Sequence, residues 1–363
     1  MNPKILFLAQ TPPPIHGASL LSEALVTSRS LNSFFDIELL RIDFAKDLKS
    51  FGKLNPRKFF KFFIFLFNMI YYLLKFRPDL VYFTISPLGG AFYRDVLFVL
   101  ILKIFRKKIL YHLHGKGIKN NCLGLKKILY RMVLKNTDVI CLSEYLTSDI
   151  QNVFDGVPYV VNNGIALEIN DDKYIKKIDL NLKIIFLSNL AESKGVYTFV
   201  DALKILSFQN VSCEASIYGD SIDVDIDEFQ QEIQEIEIRT RYHGPIYGDE
   251  KFEALLDSSI FVLPTANEAF PGVVLEAMQC GLPVISTFEG GIPDIVDDGV
   301  TGFLVPSKDP EALAEKIQIL IEDPALRQKM GEAGRKKFLD KYTQDKFEEN
   351  MKKVFDDVLS NID

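Results

Sequence analysis

Cysteine is scarce and scattered in this chain: Cys122, Cys141, Cys213 and Cys280 are the four among 363 residues, with no C-x-x-C pair and no metal-like spacing. That excludes a disulfide framework or zinc module and reads as buried thiols in a reducing compartment. A G-x-G-x-x-G run is absent too, which removes the fingerprint of dinucleotide binding. No apolar run reaches the roughly 20 residues of a membrane-spanning helix. The longest, Phe59 to Leu74, covers 16 residues and is interrupted by Lys61 and Asn68. The opening MNPKILFLAQ lacks the long apolar core and cleavage site of a secretory leader, so no export signal is expected. Internal repeats, low-complexity tracts and nucleic-acid-binding motifs are missing as well.

What is present suffices for large cores. With 48% hydrophobic and 25% charged residues, a chain of this length divides most naturally into two domains. The net charge of −7 is split: residues 1–166 hold 22 Lys and Arg against 11 Asp and Glu, so +11, and the remainder holds 20 against 38, so −18. A basic half joined to an acidic half implies that only the first meets an anionic partner, and a membrane face fits better than nucleic acid.

The chain repeats one grammar of short apolar strand, polar loop and helix. Lys4 to Ala9 reads as a strand, followed by a loop holding His16 and Gly17 and a helix to about Arg29. Gly17 permits close approach of a ligand to the backbone, and Ser19 can cap the helix. After a second strand at Phe34 to Ile42 comes the aromatic run, flanked by Arg57, Lys58, Lys61, Lys75 and Arg77. Two readings stand for it: a helix packed on the sheet, or an aromatic face resting on the bilayer interface. Further strands are expected around Leu80 to Tyr82, Lys108 to Leu113, Asp138 to Leu142 and Pro158 to Val161. The second of these delivers His112 and His114-Gly115 to its carboxyl end, where open α/β sheets bind ligands. His112 lies deeper and reads as structural. Asn163-Gly164 marks a turn ending the first domain, with a polar linker over 166–180.

The grammar restarts with a strand at Leu182 to Leu187, then Asn189 and Lys194-Gly195 before a helix. Strands at Cys213 to Tyr218, Ile238 to His243 and Ile260 to Leu263 follow, with Gly244 in the loop after the second. Glu268 and Glu276 then enclose seven residues, among them Phe270-Pro271-Gly272-Val273, where a loop turns into a helix. Free amides at that helix start favour an anionic group, and Glu276 about one turn inside can accept hydrogen bonds from a pair of hydroxyls. This describes a ribose or sugar pocket beside a phosphate site; a surface loop with two solvated glutamates is the plainer reading of the spacing alone. Downstream stand Gly281-Leu282-Pro283, Val284-Ile285-Ser286, Glu289-Gly290-Gly291-Ile292-Pro293-Asp294 and Gly299-Val300-Thr301-Gly302-Phe303, with helices expected over Asp309 to Glu322, Pro324 to Asp340 and Thr343 to Ile362.

This ordered series closely resembles the donor-binding region of retaining glycosyltransferases of family 4, among the group 1 glycosyltransferases, and the likeness runs over nearly the whole chain. It implies an α/β chain of GT-B fold, with two doubly wound Rossmann-like domains facing across a cleft: residues 1–166 on the acceptor side, 167–342 binding the donor, and a last helix in 343–363 packing back toward the first domain. It implies transfer of a sugar from a nucleotide-sugar donor to a hydroxyl with retention, without a cofactor or metal. The donor would be held by Gly17, Asn189, Lys194, Gly244, Glu268, Phe270, Pro271, Gly272, Val273 and Glu276. His114 and Glu268 would be catalytic. Lys194 would meet the diphosphate and Glu276 the ribose; Asn189 stands where the family commonly has arginine. His16, Arg57, Lys58 and Lys61 would face acceptor or membrane. The partners implied are a nucleotide-sugar, a lipid-linked saccharide of bacterial surface polysaccharide synthesis and an anionic membrane surface, with no nucleic acid, which places the protein in the cytoplasm or peripherally on the inner face of the membrane. A GT-B-like sugar-nucleotide epimerase and a non-catalytic two-lobed sugar-binding protein are the rival readings.

Overall fold

The computed structural model describes residues 2–14, 16–44, 56–172, 174 and 182–361, with the side chains of 56–59 outside that description. The side chains of Arg57 and Lys58, and most of the expected linker after 172, therefore lie outside the described residues. The chain divides into two compact units: residues 1–163 with 344–363, and residues 164–343. The sequence placed these crossings at 166/167 and 342/343.

In the first unit, β1 (Lys4–Ala9), β2 (Asp36–Arg41), β3 (Leu80–Phe83), β4 (Lys108–Leu113), β5 (Asp138–Cys141) and β6 (Tyr159–Val160) form one sheet in the order β2-β1-β3-β4-β5-β6, all pairings parallel. Its helices are α1 (Gly17–Thr27), α2 (Arg29–Phe34), α3 (Pro56–Lys75), α4 (Gly89–Ile104), α5 (Ile118–Asn121), α6 (Gly124–Leu134) and α7 (Glu144–Thr147). β3 is buried along its whole length, as a central strand covered on both faces must be. The helix expected to reach Arg29 stops at Thr27, because the Ser28 hydroxyl accepts from the Leu31 N–H and starts α2.

The aromatic run packs one side on the sheet and leaves the other uncovered. α3 buries Phe65, Met69 and Leu73, four residues apart, against the sheet, while Phe60, Phe63, Phe67 and Tyr71 remain exposed. No described helix is long and apolar enough to cross a membrane.

The second unit holds β7 (Lys183–Leu187), β8 (Glu214–Tyr218), β9 (Arg239–Tyr242), β10 (Ile260–Val262), β11 (Val284–Thr287) and β12 (Gly302–Val305), again all parallel, in the order β12-β11-β10-β7-β8-β9. Between them run α8 (Val196–Phe208), α9 (Ile226–Gln234), α10 (Gly248–Leu256), α11 (Gly272–Gln279), α12 (Ile292–Ile295), α13 (Pro310–Glu322) and α14 (Pro324–Lys341). The last helix, α15 (Gln344–Ser360), belongs to the first unit and sets Phe347, Met351 and Phe355 into its core. Each sheet has a point where strand order reverses, between β1 and β3 in one and β7 and β10 in the other. The crevice at the carboxyl ends of those strands is where such sheets take ligands.

Candidate functional site

In the second unit the loops leaving β7, β10 and β11 are laced together at the reversal point. The Ser193 carbonyl accepts from the Ala266 N–H at 2.8 Å and the Thr265 hydroxyl at 3.1 Å. The Thr287 hydroxyl donates to the Thr265 carbonyl at 2.7 Å, and the Gly291 N–H to the Ala269 carbonyl at 2.7 Å. Gly195 is left-handed at φ +79°, and a Cβ there would lie 2.1 Å from the Pro264 carbonyl oxygen, so only glycine lets the two loops meet. This contact brings the Lys194 ammonium onto the Glu268 carboxylate and within 3.2 Å of the Asn267 carbonyl.

Eight residues on, Glu276 sits in the second turn of α11. Pro271 occupies the N-cap and offers no capping side chain, and Gly272 begins the helix with open space beside its Cα. Phe270 and Pro271 bury their side chains, Phe270 packing edge-on against Tyr342, so they shape the loop from within. Val273 and Gly272 are half-buried and Asn189 is exposed. The Gly244 carbonyl accepts from the Gly219 N–H beside a stacked pair, Tyr218 and His243.

Glu276 does not stand alone. Lys251, from α10, donates to its carboxylate at 2.6 Å. Burial pushes the Glu276 carboxyl up, opposed by the Lys251 charge and reinforced by Glu168. Sequence reasoning missed Lys251, since a lysine in the acidic stretch GDEKFEALL looks like any solvated charge. The only signal available was the need to compensate a carboxylate on a half-buried helix face.

In the first unit, His16 and Gly17 lie in the loop after β1 and the start of α1. His16 caps α1: its Nδ1 accepts from the Ser19 N–H at 3.2 Å, so Nε2 carries the proton and donates to Gln10 Oε1 at 2.9 Å. His114 follows β4, its ring tilted 37° against that of His112 with centroids 4.1 Å apart. Both His114 nitrogens are closed off from solvent and without a partner, as is His112 Nε2, while His112 Nδ1 shares a hydrogen bond with the Tyr82 hydroxyl at 2.7 Å. Asp149, another residue the sequence did not single out, fixes the loop after His114 by accepting from the Gly117, Ile118 and Lys119 N–H groups. Lys61 is not a free cation; it pairs with Asp43 at 3.8 Å. Cys122, Cys141 and Cys280 are buried and Cys213 is half-buried, all free thiols.

Burial holds His114 down to about 4, the charge of His16 acting in the same direction, and holds His112 well down too. A base kept below its ordinary 6.5 favours the folded state while neutral. Its contribution is therefore whole above about pH 6.5 and is lost as the pH falls through about 4, roughly 3 kcal/mol for His114. Urea unfolding at about pH 7.5 and about pH 4.5 should show the wild type losing more stability on acidification than His114→Asn; equal losses would show that the ring does not carry this linkage.

The structure thus joins Lys194 to Glu268 directly, sets Glu276 on the helix that follows, and places His16, Gly17 and His114 on loops of the other sheet. Among the described residues no three His, Cys, Asp or Glu side chains converge as a metal site. A cavity of about 590 Å³ lies at the opposite, amino edge of the second sheet, lined by Ser207, Asn210, Cys213 and Arg239, away from every loop described above.

The profile of the family described as glycosyl transferases group 1 matches residues 169–337. Over this segment, a little under half of its length, the chain is similar to the group 1 glycosyltransferases. The capsular polysaccharide biosynthesis glycosyltransferase CapM of Staphylococcus aureus is 28% identical over 242 residues, which is 61% of this chain and 62% of CapM, so the match spans under two thirds of that relative's length. Sucrose-phosphate synthase from Thermosynechococcus elongatus superimposes with a TM-score of 0.79 at 18% identity, covering 100% of both chains. HepE from Anabaena, in a structure holding UDP, gives 0.73 at 19% identity over 98% of this chain and 100% of that chain. Both likenesses establish the GT-B fold.

Proposed function

We propose that this protein transfers a sugar from a nucleoside diphosphate sugar to a hydroxyl with retention of anomeric configuration, on a lipid-linked saccharide at the inner face of a bacterial membrane. The observation that carries the reading is the Lys194–Glu268 ion pair at the reversal point of the second sheet, one loop before the uncapped start of α11. That is a cation, a set of free amides and a carboxylate gathered where the fold takes ligands. CapM, named for capsular polysaccharide biosynthesis, and HepE, crystallised with UDP, support the polysaccharide setting and the nucleotide donor.

In this reading Lys194 turns from Glu268 to the donor diphosphate, and the α11 amides share the charge that grows as the bond from sugar C1 to the phosphate oxygen breaks. The acceptor oxygen forms the new bond to C1 on the same face and passes its proton to a donor phosphate oxygen. Glu268, once released, holds sugar hydroxyls, and Glu276 holds the ribose. With the leaving group met by Lys194 and helix amides, the scheme calls for no metal.

Incubation with a panel of nucleotide sugars and a polyprenyl-linked saccharide tests it. Free nucleotide and extended acceptor are expected, whereas donor converted without acceptor would make the protein an epimerase. Lys194→Ala should weaken nucleoside diphosphate binding by about ten- to a hundredfold while sparing the nucleoside, since only the former carries the charge Lys194 meets. Equal losses for both ligands in calorimetry would remove Lys194 from the phosphate site.

A further inference from the structure

The first unit leaves an unusual amount of apolar surface uncovered, and most of it is in one place. Of the twenty-four large apolar side chains exposed among the described residues, six stand on α3, four on α4 and three around the start of α6, more than half the total. On α4 the outward set is Tyr93, Leu97, Leu100 and Ile104, spaced 4, 3 and 4, while Phe92, Val96 and Val99 fill the core on the opposite side. α3 likewise carries outward aromatics and an inward apolar stripe, so both helices are apolar nearly all round. Such helices are normally enclosed, and here one side is not: Phe67 is 73% exposed, Ile104 76% and Leu123 78%.

The three helices are neighbours on one face of the sheet. Phe65 of α3 packs on Phe98 of α4 with centroids 4.6 Å apart, and Phe92 of α4 on Tyr130 of α6 at 4.3 Å. Their outer sides therefore adjoin. The charge around them is mostly of one sign: between residues 56 and 137 stand sixteen Lys and Arg against two carboxylates, Asp79 and Asp95, while Asp43 and Asp138 outside that span pair with Lys61 and Lys108. Asp95 is fully buried on Arg94, and Asp79 accepts from the Lys4 backbone N–H. Lys75, Arg106, Lys126 and Arg131 are exposed at the helix ends and beside Leu125 and Ile128.

We propose that the outer sides of α3, α4 and α6 form one docking surface for an anionic lipid bilayer, their apolar residues seated in the headgroup layer and the surrounding basic residues on the anionic headgroups. The charge selects this occupant. A second copy seated on the same surface would bring a field of like sign against it, whereas anionic lipid supplies the opposite sign and an apolar layer together. α3, 20 residues and so about 30 Å long, lies along the surface. The inference deepens the proposed function and rests on it for one point, that the acceptor is lipid-linked: the enzyme would meet its acceptor from the plane of the lipid.

Co-sedimentation of the full chain with vesicles of phosphatidylcholine, with and without phosphatidylglycerol, tests it. Binding is expected only with the anionic lipid and should fall as salt rises. Leu97→Ser with Ile104→Ser on α4, Leu125→Ser with Ile128→Ser on α6, and Phe63→Ser with Phe67→Ser on α3 should each lower the partition by about tenfold. All six side chains are exposed, so far-ultraviolet circular dichroism should not change. Wild-type protein left in the supernatant with anionic vesicles at low salt would overturn the proposal, as would α4 and α6 variants that sediment like wild type. A dimer in the absence of lipid that these variants dissolve would assign the surface to a second copy instead. Nucleoside diphosphate binding on the same preparations keeps the two readings apart. Lost vesicle binding with nucleotide binding intact removes the surface alone; vesicle binding without nucleotide binding removes the glycosyltransferase reading alone.

Discussion

Glu276→Ala should lower affinity for nucleoside diphosphate and for the bare nucleoside alike, by about ten- to a hundredfold, the worth of hydrogen bonds to a charged group. The equal loss separates it from Lys194→Ala, which acts on the diphosphate alone. Lys251 supplies the second half of the argument. Its ammonium, 2.6 Å from Glu276, opposes the burial that pushes this carboxyl up, while the like charge of Glu168 pushes it further up. Cys280, one turn further along α11, is a thiol pushed up to about 12 by burial and by Glu276, and adds no charge near neutrality. Without Lys251, Glu276 takes up a proton at higher pH than in the wild type, and a protonated carboxyl accepts fewer hydrogen bonds from ribose hydroxyls. Lys251→Met should therefore bind nucleotide nearly as wild type at about pH 8.5 and fall behind steadily as the pH drops to about 6, whereas Lys251→Arg keeps the wild-type profile. Titration calorimetry at three pH values measures both. An unchanged affinity in Glu276→Ala would take the ribose away from this residue, and a pH-independent defect in Lys251→Met would reduce Lys251 to a packing role.

The fold was legible because each central strand is covered on both faces and so is written as an unbroken apolar run, LFLA in β1 and LVYF in β3, followed by a polar loop. The reversal points could not be read, since strand order depends on pairings between segments about 75 residues apart, such as Ile5 with Leu80 and Ile184 with Ile260. Glu268 and Glu276 were visible through a short fixed spacing. Their lysine partners were visible only in part: Lys194 announced itself by a glycine and a helix start, but Lys251 is 25 residues from Glu276 and reaches it only through a side-chain contact that the fold creates between α10 and α11. Phe270 and Pro271 looked like a ligand-facing loop and are buried, because the sequence marks a turn without saying which side chains close it from behind. The uncovered side of α4 was not readable either. Periodicity shows that α4 is apolar nearly all round but not that only one of its sides finds a cover.

Gly290→Ala should remove turnover almost completely, more than any side-chain deletion at the donor loop. Gly290 has φ +56°, a conformation that costs an alanine about 1–2 kcal/mol. A Cβ there would also lie 2.2 Å from the Glu268 carbonyl oxygen and 2.8 Å from that of Ala269, both backbone atoms that cannot swing aside. The loop carrying Glu268 must then retreat and draw its carboxylate off Lys194. A displacement of about 1 Å at a reacting centre can cost roughly a hundredfold in rate. Gly299→Ala is the control in the same β11–β12 connection: its φ is +74°, yet nothing lies within 4 Å of the added Cβ. It pays the conformational cost without the collision, so its thermal midpoint should fall while nucleotide binding and turnover stay near wild type. If Gly290→Ala loses stability only as far as Gly299→Ala and keeps its turnover, the contact between Gly290 and the Glu268 backbone does not hold the carboxylate in place, and its position must come from the Ser193 and Thr265 hydrogen bonds instead.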